Sequence, residues 1–146
     1  PRRPPCRPTT SPAPSSVVQL SKKLANYFLN RLPEDAVCHW DLALVGTDAL
    51  RDSSSAAIAV CGLLELIKHL PVTDPDRECY QQWAMGIMSS LTRHYLMGKD
   101  EQGNGLLKHS VYHLSSNKGV DECASWGDYF YVEALMRFTQ SWKLYW

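Results

Sequence analysis

Ser53 to Leu70, SSSAAIAVCGLLELIKHL, constrains this chain more than any other stretch. Ala56, Ala57, Ile58, Ala59, Val60, Cys61, Leu63, Leu64, Leu66, Ile67 and Leu70 leave almost no polar stripe, and a helix apolar all round must be wrapped by other elements or by lipid. Gly62, Glu65, Lys68 and His69 interrupt the run well short of the roughly 18 to 20 apolar residues that span a bilayer. The segment therefore reads as a central helix of a layered all-α domain without a membrane span. Asp52 and the three serines after it offer oxygens to the first free amides, which fixes its start.

The flanking segments differ in character. Residues 1–16 carry six prolines, three arginines and no apolar period, and are expected to form an extended or disordered tail. From Val17, apolar residues Leu20, Leu24, Tyr27, Phe28 and Leu32 recur at three and four residues against Lys22, Lys23, Asn26, Asn30 and Arg31. This predicts an amphipathic helix capped by Ser15 or Ser16, covered on one face and ended by Pro33. The connector PEDAVCHWDLALVGTDALRD has no helical period and holds His39, Trp40, Asp41, Arg51 and Asp52; loops of that length inside compact domains are usually functional.

Asp76 to Met97 is again amphipathic, with Tyr80, Trp83, Ile87, Leu91 and Tyr95 on one side. Glycines 98, 103 and 105 follow, then GLLKHSVYHL, whose alternation suits a short strand or hairpin. His109 and His113 are four apart in that extended segment, where the spacing does not build a metal site, and no metal or cofactor is expected. The last predicted helix, Trp126 to Trp142, is apolar almost all round. One-sided and all-round helices thus alternate, the order a double ring of α-hairpins needs because its inner helices are covered on both flanks. Two hairpins do not close a ring. The flanks left open should make the isolated chain self-associate or stay molten, since they expose more apolar surface than a monomer usually tolerates.

Charge excludes some partners. Fifteen basic residues balance fifteen acidic ones, so no global field draws the chain to nucleic acid or anionic lipid. Five cysteines without a CxxC pair, one of them inside the apolar helix, fit free thiols in a reducing compartment, hence the cytoplasm. Five tryptophans fit a sugar-binding protein, but a well-packed core is the simpler reading.

Four segments carry a family resemblance: PEDAVCHW at 33–40, RDSSSAAIAVCGLLEL at 51–66, GLLKHSVYH at 105–113 and VDECASWGDYFYVEALMR at 120–137. Together they resemble the C-terminal part of the unsaturated glucuronyl hydrolases, glycosidases with a six-hairpin α/α barrel. Residues 17–146 would then be the C-terminal portion of such a domain. Two departures stand out: the family favours Gly and Pro where this chain has Ala36 and Cys38. An arginine–glycine–glutamine–alanine–tryptophan segment that contacts substrate in the family is replaced by the proline-rich tail.

The resemblance implies a substrate ending in a 4,5-unsaturated uronic acid. A carboxylic acid protonates C4 of the enol ether, water adds at C5, and the hemiketal opens and expels the sugar, unlike the usual two-carboxylate hydrolysis. The family's two functional aspartates lie upstream of the matched part, so no catalytic residue is assigned and the chain alone is expected to be inactive. One wall of the pocket remains, with His39, Trp40, Arg51, Asp52, Ser110, His113, Trp126 and Asp128 as candidate contacts to an unsaturated uronyl oligosaccharide. Arg51 and Asp52 serve equally as an ion pair and a cap, and Asp128 as a residue favourable to the helix dipole. A non-catalytic α-helical carbohydrate-binding or interaction module is the alternative reading.

Overall fold

The computed structural model describes residues 15–44 and 49–143; most of the proline-rich tail and part of the connector lie outside them. Among the described residues there are four α-helices, α1 (Ser16–Leu29), α2 (Ser53–Lys68), α3 (Asp76–Ser90) and α4 (Ser125–Thr139), and two antiparallel strands, β1 (Ser110–His113) and β2 (Lys118–Glu122). A π-helical turn, Leu91–Tyr95, extends α3, and a 3-10 turn, Leu114–Ser116, joins the strands. No described helix is long and apolar enough to cross a membrane.

The organising helix is where the sequence puts it. Ala56, Ala57, Val60, Cys61, Leu63, Leu66 and Ile67 of α2 are buried, with α3 packed on one side and α4 on another. Asp52 caps it by accepting from the amides of Ser54 and Ser55 at 3.1 and 3.4 Å. From α3 and the turn beyond it, Tyr80, Ile87, Leu91 and Tyr95 are buried, all four on the predicted face. Ser15 is the cap of α1, accepting from Val18 N at 3.3 Å.

Three expectations need correction. Ile58, on the organising helix, is 40% exposed because α2 has neighbours on only part of its circumference. The stripe Val17, Leu20, Leu24 and Tyr27 of α1 is turned outward, with Leu24 61% exposed, whereas Val18, Ala25, Phe28 and Leu32 pack against the core and Leu29 is buried. Both stripes recur at helical spacing, so periodicity alone did not say which one meets α2. Finally, α4 stops at Thr139 and not at Trp142. Gln140 is already extended, and the Thr139 hydroxyl binds the carbonyls of Leu135 and Met136, competing with further helical turns.

Charged residues tie α2 to α4 at their C-terminal ends. Arg137 bridges Glu65 and Glu133 at 2.7 Å each, with its guanidinium almost wholly buried. Burial opposes that charge, but the two carboxylates outweigh it and hold Arg137 firmly protonated.

Candidate functional site

The other end of the same helices carries most of the candidate residues. Gly127, in the first turn of α4, sits against Ser54 in the first turn of α2: a Cβ there would lie 3.0 Å from Ser54 Cβ and 3.3 Å from its Cα. The two N-termini therefore converge with only the small Ser54 side chain between their backbones. The β1 segment is laced to the same point, because Ser53 N donates to His109 O at 3.1 Å and Ser53 Oγ to Lys108 O at 2.6 Å.

A polar network fills the junction. Asp52 is buried, and both its oxygens are occupied: Ser54 Oγ donates to Oδ1 at 2.6 Å and Ser55 Oγ to Oδ2 at 2.5 Å, besides the two capping amides. Ser53 Oγ and Ser110 Oγ are 3.0 Å apart, and the Trp126 indole donates to Ser54 Oγ at 3.1 Å. Trp126 is part-exposed, and its ring lies 5.7 Å from that of the well-exposed Tyr112 at an interplanar angle of 58°. These rings form an aromatic ledge beside the convergent helix ends.

The sequence-predicted residues fall into three groups. Ser110, Trp126 and Asp52 meet at the junction, with Ser110 buried and Trp126 presenting its ring. His39 and Arg51 are paired in the connector, whose stem they close as an isolated antiparallel bridge; Arg51 Nη1 lies 2.6 Å from His39 Nδ1. Trp40 follows on the connector and is part-exposed. Asp128 and His113 both accept from backbone amides, His113 locally and Asp128 from a distant segment. Asp128 Oδ1 accepts from the amides of Leu106 and Leu107 at 3.0 and 2.9 Å, and His113 Nδ1 accepts from Ser116 N at 3.2 Å, capping the 3-10 turn.

Two participants escaped the sequence reading. Tyr112 was invisible because a register shift between Ser110 and Val111 decides which side of the hairpin it faces. Asp35 holds the connector from behind: Arg51 Nε donates to Oδ2 at 3.1 Å and the Tyr95 hydroxyl to the same oxygen at 2.6 Å. Burial opposes ionisation of Asp35, yet those two hydrogen bonds and the guanidinium charge prevail and hold its carboxyl below the usual range. The Tyr95 hydroxyl is correspondingly raised, first by burial and then by its bond to that carboxylate. Behind the stem, burial and then the Asp52 charge push the Cys38 thiol up to about 12, so it is an inert packing group.

His109 does not join the junction. It lies next to Asp121, Nδ1 to Oδ1 2.6 Å, in an open cleft of about 540 Å3 that Asp35, Arg51 and Tyr95 also line. Among the described residues no three His, Cys, Asp or Glu side chains are grouped to hold a metal ion.

A scan against models of known families finds no match. Individual proteins do match. An unsaturated chondroitin disaccharide hydrolase of Streptococcus pneumoniae is 49% identical over 132 residues, 90% of this chain and 33% of that protein. An unsaturated glucuronyl hydrolase of Bacillus sp. strain GL1 is 34% identical over 133 residues, 90% of this chain and 35% of its own length. The crystal structure of an unsaturated glucuronyl hydrolase variant from Streptococcus agalactiae, complexed with dGlcA-GalNAc6S, superposes with a TM-score of 0.84 at 48% identity, covering 88% of this chain and 34% of that one. The chain spans about a third of the length of the relatives it matches. With the alternating helices, the convergent N-termini and this level of identity together, the chain is homologous to the C-terminal part of the unsaturated glucuronyl hydrolases and shares their α/α-barrel fold over that part.

Proposed function

We propose that this chain forms one wall of a pocket that binds a carbohydrate ending in a 4,5-unsaturated uronic acid, in a glycosidase that hydrates the enol ether. The observation that supports the reading best is the junction of α2 and α4. The α4 N-terminus has no side-chain cap, and its free amides bring partial positive charge to the junction, which favours a sugar carboxylate, whereas the first amides of α2 are already taken by Asp52. The Tyr112–Trp126 ledge beside them offers ring faces to a sugar. The Streptococcus agalactiae homologue was crystallised with such a ligand, and the homologues are hydrolases, which leaves a purely non-catalytic module the weaker reading.

The wall binds and does not transfer the proton. A general acid needs a free carboxyl within reach of the reacting carbon. Asp52 accepts four hydrogen bonds from Ser54 and Ser55, and Asp128 accepts two backbone amides, so both are engaged as structural acceptors. Asp121 faces His109 in the separate cleft. What the resemblance implies is that the catalytic carboxyls belong to the part of the relatives that this chain does not cover. The described cysteines are free thiols, which suits the cytoplasm as the working compartment.

The test uses a lyase-generated unsaturated disaccharide and the loss of the enol-ether ultraviolet absorbance. The chain alone is expected to give no turnover. Grafted in place of the matching third of the Streptococcus pneumoniae relative, it is expected to support turnover, with Trp126→Ala raising KM. Turnover by the isolated chain that disappears in Asp52→Asn, Asp121→Asn or Asp128→Asn would overturn the assignment of the chemistry. An active graft indifferent to Trp126→Ala would overturn the proposed wall.

A further inference from the structure

The β1–β2 hairpin carries Tyr112, one half of the ledge, yet little in its own strands fixes how they pair. Ser110 and Val111 of β1 are both buried and no residue of β2 is, so neither strand alternates inward and outward. Strands without a buried face, and with glycine among their residues, hold their register weakly. The pairing nevertheless contains a defined irregularity. Ser110 stands opposite Glu122 and Val111 opposite Val120, which leaves Asp121 as an extra residue, a bulge on β2. The bulge sets Tyr112 against Gly119, where a Cβ would lie 3.0 Å from Tyr112 Cβ. Regular pairing from Ser110 onward would set it against Val120 instead.

Asp121 and His109 hold φ of 61° and 64°, left-handed backbone that L side chains disfavour and that glycine ordinarily supplies at such a bulge. Both keep a side chain there, and the two side chains meet, His109 Nδ1 lying 2.6 Å from Asp121 Oδ1. The pair is half exposed, and a pair of that kind adds little to stability. Two strained positions joined by a weak bond point to a use other than holding the fold. His109 is a fixed anchor. Its carbonyl accepts from Ser53 N at 3.1 Å at the start of α2, and its ring meets that of Tyr95 edge-on at 5.7 Å. Lys108 N, one residue earlier, donates to Tyr95 O at 2.8 Å. The bond to Asp121 therefore ties β2 to a point that α2 and the turn after α3 already hold.

We propose that His109 and Asp121 are positioning residues for the sugar-binding wall: their side-chain bond locks the bulge at Asp121 and so keeps Tyr112 on the ledge beside Trp126. The proposal rests on the reading of that ledge as the place where a sugar ring lies, but the lock belongs to the hairpin and is read without a sugar.

The experiment has two arms. In the first, NMR of the full chain follows cross-relaxation between the Tyr112 and Trp126 rings, 5.7 Å apart, in Asp121→Gly, His109→Gly and Asp121→Asn. Glycine accepts the left-handed backbone but removes the bond, whereas asparagine tolerates that backbone and keeps an acceptor oxygen. Both glycine variants are expected to lose the ring–ring signal while keeping helicity and unfolding midpoint, and Asp121→Asn to retain it. In the second arm the same changes are made in the Streptococcus pneumoniae graft. Each glycine variant should raise KM about 2–10-fold, the effect of losing one aromatic contact, with kcat unchanged. The double variant should be no worse than either single one, because both remove the same bond. A ring signal absent from the unsubstituted chain, kept in either glycine variant, or lost in Asp121→Asn would overturn the lock. A graft whose KM rises in Trp126→Ala but not in the glycine variants would overturn its service to the wall. A graft indifferent to Trp126→Ala, with the NMR result as expected, overturns the reading of the ledge and upholds the lock.

Discussion

The Trp126 indole nitrogen donates to Ser54 Oγ at 3.1 Å, joining the first turn of α4 to the first turn of α2 exactly where their backbones come closest. The only donor of the indole side chain is thereby used internally, which in the proposed wall leaves a ring face to the ligand. Ser54→Ala should cost about 1–3 kcal/mol, because it leaves the indole and the Asp52 carboxylate each short of a partner. Denaturant unfolding gives that number. Sugar affinity, followed by tryptophan fluorescence, should fall further in Trp126→Ala than in Trp126→Phe, which keeps a ring on the ledge.

Gly127→Ala tests the close approach directly. The added Cβ would press on Ser54 Cβ at 3.0 Å, tighter than ordinary contact, and the neighbours are helix backbone and a buried side chain. Overpacking of this kind costs about 1–3 kcal/mol, even though alanine is the better helix former. The expected result is a lowered midpoint in thermal unfolding, opposite in sign to what helix propensity predicts.

Ala36 offers the reverse experiment. It holds φ of 60°, in the left-handed region, within the turn closed by Ala36 N donating to Pro33 O at 2.9 Å. A side chain there costs about 1–2 kcal/mol, and glycine does not carry that cost. Ala36→Gly should therefore stabilise the chain by somewhat less than that amount, since glycine also gains freedom in the unfolded state. A fall in unfolding midpoint would contradict the strain.

The Asp35–Tyr95–Arg51 cluster sets limits on pH. Asp35 is held below its ordinary value, so its contribution is present above the unfolded carboxylate pKa and is lost as pH falls through the lower folded value. Tyr95 is held above its ordinary value, so its contribution is present below the unfolded phenol pKa and is lost as pH rises through the higher folded value. Stability should thus be flat near neutrality with respect to this pair and decline at both extremes. In Tyr95→Phe the alkaline decline should shrink and the acid decline should become shallower, measured as unfolding midpoint against pH.

Much of this protein was determined by the sequence itself. The apolarity of Ser53 to Leu70 drives most of that helix into the core, Ile58 being the exception, and Asp52 followed by three serines caps it through bonds that span only two or three residues. Local chemistry of that kind survives any tertiary arrangement. The buried face of α3 was legible for the same reason: one apolar stripe at helical spacing leaves a single choice.

Where two choices existed, only the tertiary structure decided. The first helix carries two apolar stripes, and which of them meets α2 depends on the direction in which the connector delivers the chain, a property of no short segment. Ser53 and Ser110 are 57 residues apart and meet because β1 is pinned to the start of α2. Asp128 Oδ1 accepts from the Leu106 and Leu107 amides, 22 and 21 residues away, a tie between segments that no local pattern announces. Tyr112 reaches the ledge through a one-residue register shift that flips side chains between faces of a strand. Hydrogen bonds and ring contacts between distant segments form only after packing has fixed their distances to a few tenths of an ångström, and periodicity in sequence does not carry that information.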